Sequence, residues 1–113
     1  MQNDKILSML GLAQKAGGIA SGEVAAESAV KAYRAYLLVV AQDASENTRR
    51  KMKNMAAYYG TPLVFYATRE ELGRCIGKDY RSMAAVTQEG FAASLQKKLS
   101  AAGIQIEGGC LEK

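Results

Sequence analysis

Residues 36–48 read YLLVVAQDASENT, an apolar run that passes into a short polar turn and then into a sequence suited to start a helix. The run at 36–41 is apolar without alternation, which is typical of a central strand buried on both faces. Ser45 is a favourable N-cap for the following helix. The stretch therefore predicts a buried strand that leads directly into a helix, which is the unit of an α/β fold.

The same alternation of strand and helix continues in both directions along the chain. Further strands are predicted at 19–20, 63–67 and 83–87, and helices at 4–16, from Ser21-Gly22 onward, from Ser45 onward, at 68–77 and at 89–102. At 113 residues the chain is one domain. We expect a three-layer α-β-α sandwich with a small four-stranded mixed sheet, a core at about 4–102, and a tail that either adds a short edge segment or stays loose.

The second predicted helix carries an apolar stripe at helical spacing, so one of its faces is expected to be buried. The stripe consists of Ala26, Ala29, Val30 and Tyr33. Glu27 and Lys31 have the spacing of a favourable ion pair on the surface of the same helix.

Composition excludes several classes of protein and site. The chain has no histidine and only two cysteines, Cys75 and Cys110, so we expect no metal or other cofactor, and unpaired thiols are favoured over a disulfide. No histidine is available for catalysis, and no sequence pattern indicates a catalytic acid pair or thiol. We therefore do not expect an enzyme. No signal peptide or membrane span is visible, which predicts a cytoplasmic protein.

The net charge of +4 points mildly to an acidic partner, and nucleic acid is the commonest one. From charge alone, binding to nucleic acid and binding to no acidic partner are equally open. The basic residues are densest in the run RRKMK at 49–53.

The segment KAGGIASGE at 15–23 is the richest in glycine, but it is not a nucleotide cradle. Glu23 stands where a P-loop needs lysine, and the glycine spacing does not match a dinucleotide fingerprint. A helix that starts at Ser21-Gly22 would leave its first N–H groups free to bind phosphates or base edges, with Lys15, Lys31 and Arg34 as candidate phosphate contacts. Taken alone, the segment favours simple capping of a helix by Gly22.

A family resemblance adds to this interpretation. The stretches GLAQKAGGIASGE, LLVVAQDASENT, TPLVFY, EELGRCIGK and MAAVTQEGFA together resemble the ribosomal L7Ae/L30e superfamily, in particular its small bacterial YlxQ-type members. The resemblance covers residues 4–100 and implies an α-β-α sandwich that binds kink-turn RNA. It places RNA contacts at Ser21, Gly22, Glu23, Val24, Ala25 and Ser28, and on a second loop at Lys78, Asp79, Tyr80, Arg81, Ser82 and Met83.

The chain departs from the RNA-reading pattern of that family, Gly-x-Asn-Glu-x-x-Lys. Gly22 is kept, but Val24, Ala25 and Ser28 stand at the Asn, Glu and Lys positions. Backbone N–H groups would then carry more of the binding, together with the side chains of Glu23, Lys15, Lys31 and Arg81.

The main hypothesis is a noncatalytic, monomeric RNA-binding protein that acts on structured RNA such as ribosomal RNA or an mRNA leader, on or near the ribosome. The alternative is a protein-interaction module of the same fold with weakened RNA affinity.

Overall fold

The computed structural model describes residues 4–108. Over these residues it contains five helices: α1 (Lys5–Lys15), α2 (Glu23–Lys31), α3 (Glu46–Tyr59), α4 (Arg69–Cys75) and α5 (Glu89–Ala101). The strands are β1 (Ile19–Ser21), β2 (Leu37–Val40), β3 (Pro62–Phe65), β4 (Met83–Val86) and β5 (Glu107–Gly108).

The strands form one mixed sheet in the order β1-β4-β2-β3-β5. β2 and β3 are parallel, and β4 is antiparallel to both β1 and β2. The four predicted strands are confirmed, and the tail adds a fifth, two-residue strand at the β3 edge. β2 is central and buried along its whole length, as its unbroken apolar run predicted.

Helices cover both faces of this sheet, which confirms the predicted three-layer sandwich. α2 and α3 pack against each other on one side, while α4 and α5 both pack against α1 on the other. No helix in the described part of the chain is long and apolar enough to cross a membrane.

The caps follow the sequence closely. Asp4 caps α1 by accepting from the N–H groups of Ile6 and Leu7 at 2.9 Å each. Ser45 caps α3 by accepting from the N–H of Thr48 at 3.1 Å. Each side chain satisfies donors that a helix start would otherwise leave open.

Two details of the second helix differ from the prediction. Ala26, Ala29 and Val30 are buried, but α2 ends at Lys31, and Tyr33 lies beyond it with 72% of its surface exposed. Glu27 pairs with Lys51 of α3 rather than with Lys31 on its own helix. Glu27 contacts Lys51 because α2 and α3 are packed side by side, and sequence spacing does not reveal this packing.

Candidate functional site

The edge of the sheet that contains the carboxyl ends of β1, β2 and β3 also contains the start of β4. This follows from the strand directions, because β4 runs antiparallel to its neighbours β1 and β2. The N–H of Gly22 donates to the carbonyl of Met83 at 3.0 Å and so extends the pairing of β1 with β4 by one residue. The start of α2 is thereby fixed beside the loop that precedes β4.

A surface groove of about 650 Å³ lies at this junction, and we call it the Gly22 groove. Both segments that the resemblance had singled out contribute to it. It is lined by Ser21, Gly22, Glu23, Val24, Ala25, Ser28, Tyr80, Arg81 and Ser82.

Gly22 has a backbone conformation that suits only glycine. Its φ of 90° and ψ of 163° fall in a region that residues with a Cβ essentially do not adopt. Space is not the constraint, because an added Cβ would lie 3.8 Å from Nε and Cδ of Arg81, an ordinary contact distance. Glycine is therefore required here by the sharp turn from β1 into α2.

The first turn of α2 presents backbone donors to the groove. Gly22 offers no side-chain cap, and the first intrahelical donor is Ala26, whose N–H donates to the carbonyl of Gly22 at 2.9 Å. The N–H groups of Glu23, Val24 and Ala25 precede it and have no acceptor within the helix. Together with the helix dipole they favour an anionic or strongly polar acceptor.

Arg81 lies across the groove from these donors. Its Nη1 donates to the carbonyl of Tyr80 at 2.7 Å, and its own N–H donates to the carbonyl of Arg69 at 3.1 Å. Its Nε is buried and has no hydrogen-bond acceptor among the described residues. A buried unsatisfied donor of this kind costs about 1–3 kcal/mol, which an oxygen acceptor would relieve if the Arg81 side chain moved to let it reach the Nε–H.

A cluster of opposite charges holds Glu23 at the rim of the groove. Lys51 of α3 donates to Glu27 at 2.7 Å and to Glu23 at 3.1 Å. The hydrogen bond from Lys51 lowers the pKa of Glu27, and the bonds to Glu27 and Glu23 raise the pKa of Lys51. Lys51 thus draws the Glu23 carboxylate toward α3 and offsets negative charge that would repel an anionic ligand.

The loop at 78–82 owes its position to a glycine inside α4. A Cβ at Gly73 would lie 2.7 Å from the carbonyl oxygen of Asp79 and 2.9 Å from the Cα of Tyr80. The N–H of Lys78 also donates to the carbonyl of Gly73 at 2.8 Å. The absence of a side chain at Gly73 therefore lets the loop lie directly on the helix and bring Tyr80 and Arg81 to the groove.

Six residues predicted to contact RNA do not line the Gly22 groove: Lys15, Lys31, Arg34, Lys78, Asp79 and Met83. Met83 is fully buried in β4, so its side chain cannot contact a ligand, and only its carbonyl supports the site. Lys15 lies at the opposite end of β1 and lines a groove of about 880 Å³ between α1 and α4. Lys31 ends α2, roughly 12 Å along the helix axis from Glu23.

Cys75 lines the same groove as Lys15 and is a free, half-buried thiol. Burial raises its pKa to about 11, which argues against a reactive thiolate. Cys110 lies outside the described residues, so the predicted absence of a disulfide remains a prediction.

Sequence reasoning missed Lys51 and Gly73. Lys51 belongs to the basic run at 49–53, but nothing in that run indicates which cation faces α2. A glycine in the interior of a predicted helix was a usable signal for Gly73, because glycine weakens a helix and often marks a close backbone approach.

Comparison with known proteins identifies the family that this chain resembles. The model of the ribosomal protein L7Ae/L30e/S12e/Gadd45 family matches residues 4–96. The chain is 40% identical over 87 residues to the RNA-binding protein YlxQ of Bacillus subtilis (strain 168), which covers 77% of this chain and 87% of that protein. It is 34% identical over 88 residues to the RNA-binding protein YlxQ of Enterococcus faecium, covering 78% and 84% respectively.

Solved structures share the fold. A protein with unknown function from Bacillus halodurans C superimposes with a TM-score of 0.81 at 32% identity, over 85% of this chain and 97% of that chain. The 15.5kD RNA binding protein of Giardia lamblia gives a TM-score of 0.72 over 89% and 92%, and at 20% identity it supports the fold alone.

Proposed function

This chain belongs to the ribosomal protein L7Ae/L30e/S12e/Gadd45 family, and we propose that it is a noncatalytic RNA-binding protein that recognises kinked, structured RNA through the Gly22 groove. Two relatives at 34–40% identity are named as RNA-binding proteins, which supports RNA as the partner. The finer proposal, a kink-turn, rests on the family resemblance of the two segments that meet in this groove.

The observation that carries the proposal is the meeting of two kinds of donor in one groove. Open N–H groups at the start of α2 face the loop that holds Arg81, whose buried Nε lacks an acceptor in the described structure. RNA phosphates and base edges supply oxygen acceptors for the open N–H groups and for the guanidinium of Arg81. A sharply bent RNA would reach both sides of the groove at once.

Sequence readout by side chains is weak in this groove. Val24 and Ala25 offer no side-chain hydrogen bonds to base edges, and Val24 is 85% exposed. We infer that recognition depends on backbone donors, on Arg81 and on RNA shape, with Val24 and Tyr80 as apolar contacts for sugar or base surfaces.

The same exposure favours one alternative function. Val24 and Tyr80 are large, exposed and adjacent to the groove, as expected of a protein-binding surface that has lost RNA affinity. This alternative predicts no preference for bent RNA over straight RNA.

Binding of a kink-turn RNA and of a straight duplex of equal length, measured at several salt concentrations, tests the proposal. We expect tighter binding of the kink-turn, and the family-pattern variant Val24→Asn/Ala25→Glu/Ser28→Lys should widen that preference by about 1–3 kcal/mol for each restored base contact. Ser28→Lys alone is the control, because an added cation helps any RNA. Equal affinity for both RNAs, unchanged in the triple variant, would favour the protein-interaction alternative.

We further propose that the protein acts as a cytoplasmic monomer, with ribosomal RNA or an mRNA leader as its natural target. Sedimentation of cell extracts with and without ribonuclease tests the ribosomal association. A protein that migrates only with small, ribonuclease-insensitive species would contradict it. The predicted monomer is tested by light scattering of the purified protein.

A further inference from the structure

Three tyrosines form a cluster on the surface of the α2/α3 layer, and we call it the tyrosine cluster. The ring of Tyr59 meets Tyr33 edge-on with centroids 5.4 Å apart and Tyr58 edge-on at 4.9 Å. Tyr59 is partly buried against the core, while Tyr33 and Tyr58 are 72% and 81% exposed. The outer two rings are therefore largely open to solvent, and both pack against a third ring that is anchored in the core.

The tyrosine cluster lies at the opposite end of the helices from the Gly22 groove. β1, β2 and β3 run in one direction, so the crossover helices α2 and α3 both start at the groove edge and end at the far edge. Tyr33 follows the end of α2, and Tyr58 and Tyr59 end α3. Lys31 and Arg34 flank Tyr33 in the chain, and both are exposed.

Tyr33 also occupies a backbone conformation that does not suit its side chain. It is the residue after the C-cap of α2, with a φ of 59°, a position that glycine usually fills. The N–H of Arg34 donates to the carbonyl of Ala29 at 2.9 Å and the N–H of Tyr33 to that of Val30 at 3.0 Å, so the turn itself is regular. Glycine would make the same turn with less strain, so the backbone does not explain a tyrosine here.

We propose that the tyrosine cluster, with Lys31 and Arg34, is a second RNA contact that stacks unpaired bases next to the kinked segment held in the Gly22 groove. Open aromatic faces bind bases of any sequence, and flanking cations bind the backbone that joins them. Backbone strain kept at an exposed residue points to a function for its side chain, here the ring of Tyr33. The inference rests on the proposed function, because it assumes RNA already bound at the groove.

The distance between the two sites suits a short RNA segment. α2 separates them by roughly 12 Å along its axis, which about four stacked nucleotides at about 3.4 Å each would span. A single-stranded extension of the kinked RNA can therefore reach the cluster.

The test compares a kink-turn RNA that ends in eight unpaired uridines with the same RNA ending flush. In the wild-type protein the extension should strengthen binding by about tenfold, the effect of stacking one base or two. Tyr33→Gly should abolish most of that gain while raising the melting temperature by a few degrees, because the strained φ is relieved. Binding of the flush kink-turn should not change.

Two variants serve as controls for Tyr33→Gly. Ala67→Gly relieves another positive φ, 67°, without removing a ring, and should keep the full gain. Tyr33→Phe keeps a stacking face and should keep most of it.

An extension that adds no affinity in the wild type, or as much in Tyr33→Gly, overturns the proposal. A change in self-association by light scattering, with RNA binding unaltered, overturns it in favour of a protein interface. Failure of the proposed function looks different, because the flush kink-turn would then bind no better than a straight duplex. In that case free octauridine is the probe. If the wild type binds it and Tyr33→Gly is the only one of the three variants that does not, the result would still support base stacking at the tyrosine cluster.

Discussion

Gly73→Ala should displace the 78–82 loop, and so weaken RNA binding, with only a small effect on the stability of the fold. The added Cβ would lie 2.7 Å from the oxygen and 2.8 Å from the carbonyl carbon of Asp79. An ordinary contact starts near 3.4 Å, so the loop must move away from α4 by about 0.7 Å. Because the neighbouring atoms are backbone, no side-chain rotation can relieve the contact.

Two opposing free energies set the size of the effect. Overpacking of this kind costs about 1–3 kcal/mol, while replacing glycine by alanine inside a helix gains about 1 kcal/mol. The free energy of unfolding should therefore fall by about 0–2 kcal/mol. The loop carries Tyr80 and Arg81 to the Gly22 groove, so we expect kink-turn affinity to fall by about tenfold, or about 1.4 kcal/mol.

Gly90→Ala is the matched control. Gly90 lies in the first turn of α5, and an added Cβ would have no atom within 4 Å. The same substitution should leave the unfolding free energy unchanged or raised there, and should leave RNA binding unaltered. Chemical denaturation and RNA titration of both variants measure the two effects. If Gly73→Ala behaves like Gly90→Ala in both assays, the loop is not held by the contact with α4.

Three further outcomes are expected. Lys51→Ala should weaken RNA binding severalfold by releasing the Glu23 carboxylate toward the groove. Adding Glu23→Gln to this variant should restore the RNA affinity. If the affinity is not restored, this electrostatic explanation is excluded. Alkylation of Cys75, measured by peptide mass spectrometry, should be slow at pH 8 and should accelerate as the pH approaches 11. The reason is that burial raises the pKa of the Cys75 thiol and so keeps it protonated. Rapid labelling at pH 8 would contradict the burial. Ser45→Ala should cost about 1 kcal/mol of stability in thermal unfolding by removing the α3 cap, whereas an unchanged melting temperature would show that this cap does not stabilise the fold.

Much of the fold was predictable because its local signals agree with each other. The apolar run at 36–41 became the central strand β2, and Ser45 became the cap of α3. One prediction was wrong because a contact between elements decided the outcome. Glu27 has Lys31 at the right spacing on its own helix, but it pairs with Lys51 across α2 and α3.

The candidate site was predictable only as separate segments. The resemblance named both Gly22 and Arg81, yet it also included Met83, which is buried because β4 is flanked by strands on both sides and covered by helices. Lys15 and Lys31 are close to Gly22 in the chain, but β1 and α2 place them at the far end of the sheet. Distance along the chain does not indicate distance in space once a strand or a helix intervenes.

The sequence by itself determined the order and type of the elements, the buried strand at the centre and the glycine at the turn into α2, because each depends on local conformation and on the burial of apolar runs. Only the tertiary structure decided that the start of α2 and the 78–82 loop share a groove, and that three tyrosines meet at the opposite end. The physical reason is strand pairing and helix packing. One hydrogen bond from Gly22 to Met83 and one close approach at Gly73 bring together residues that are far apart in the chain.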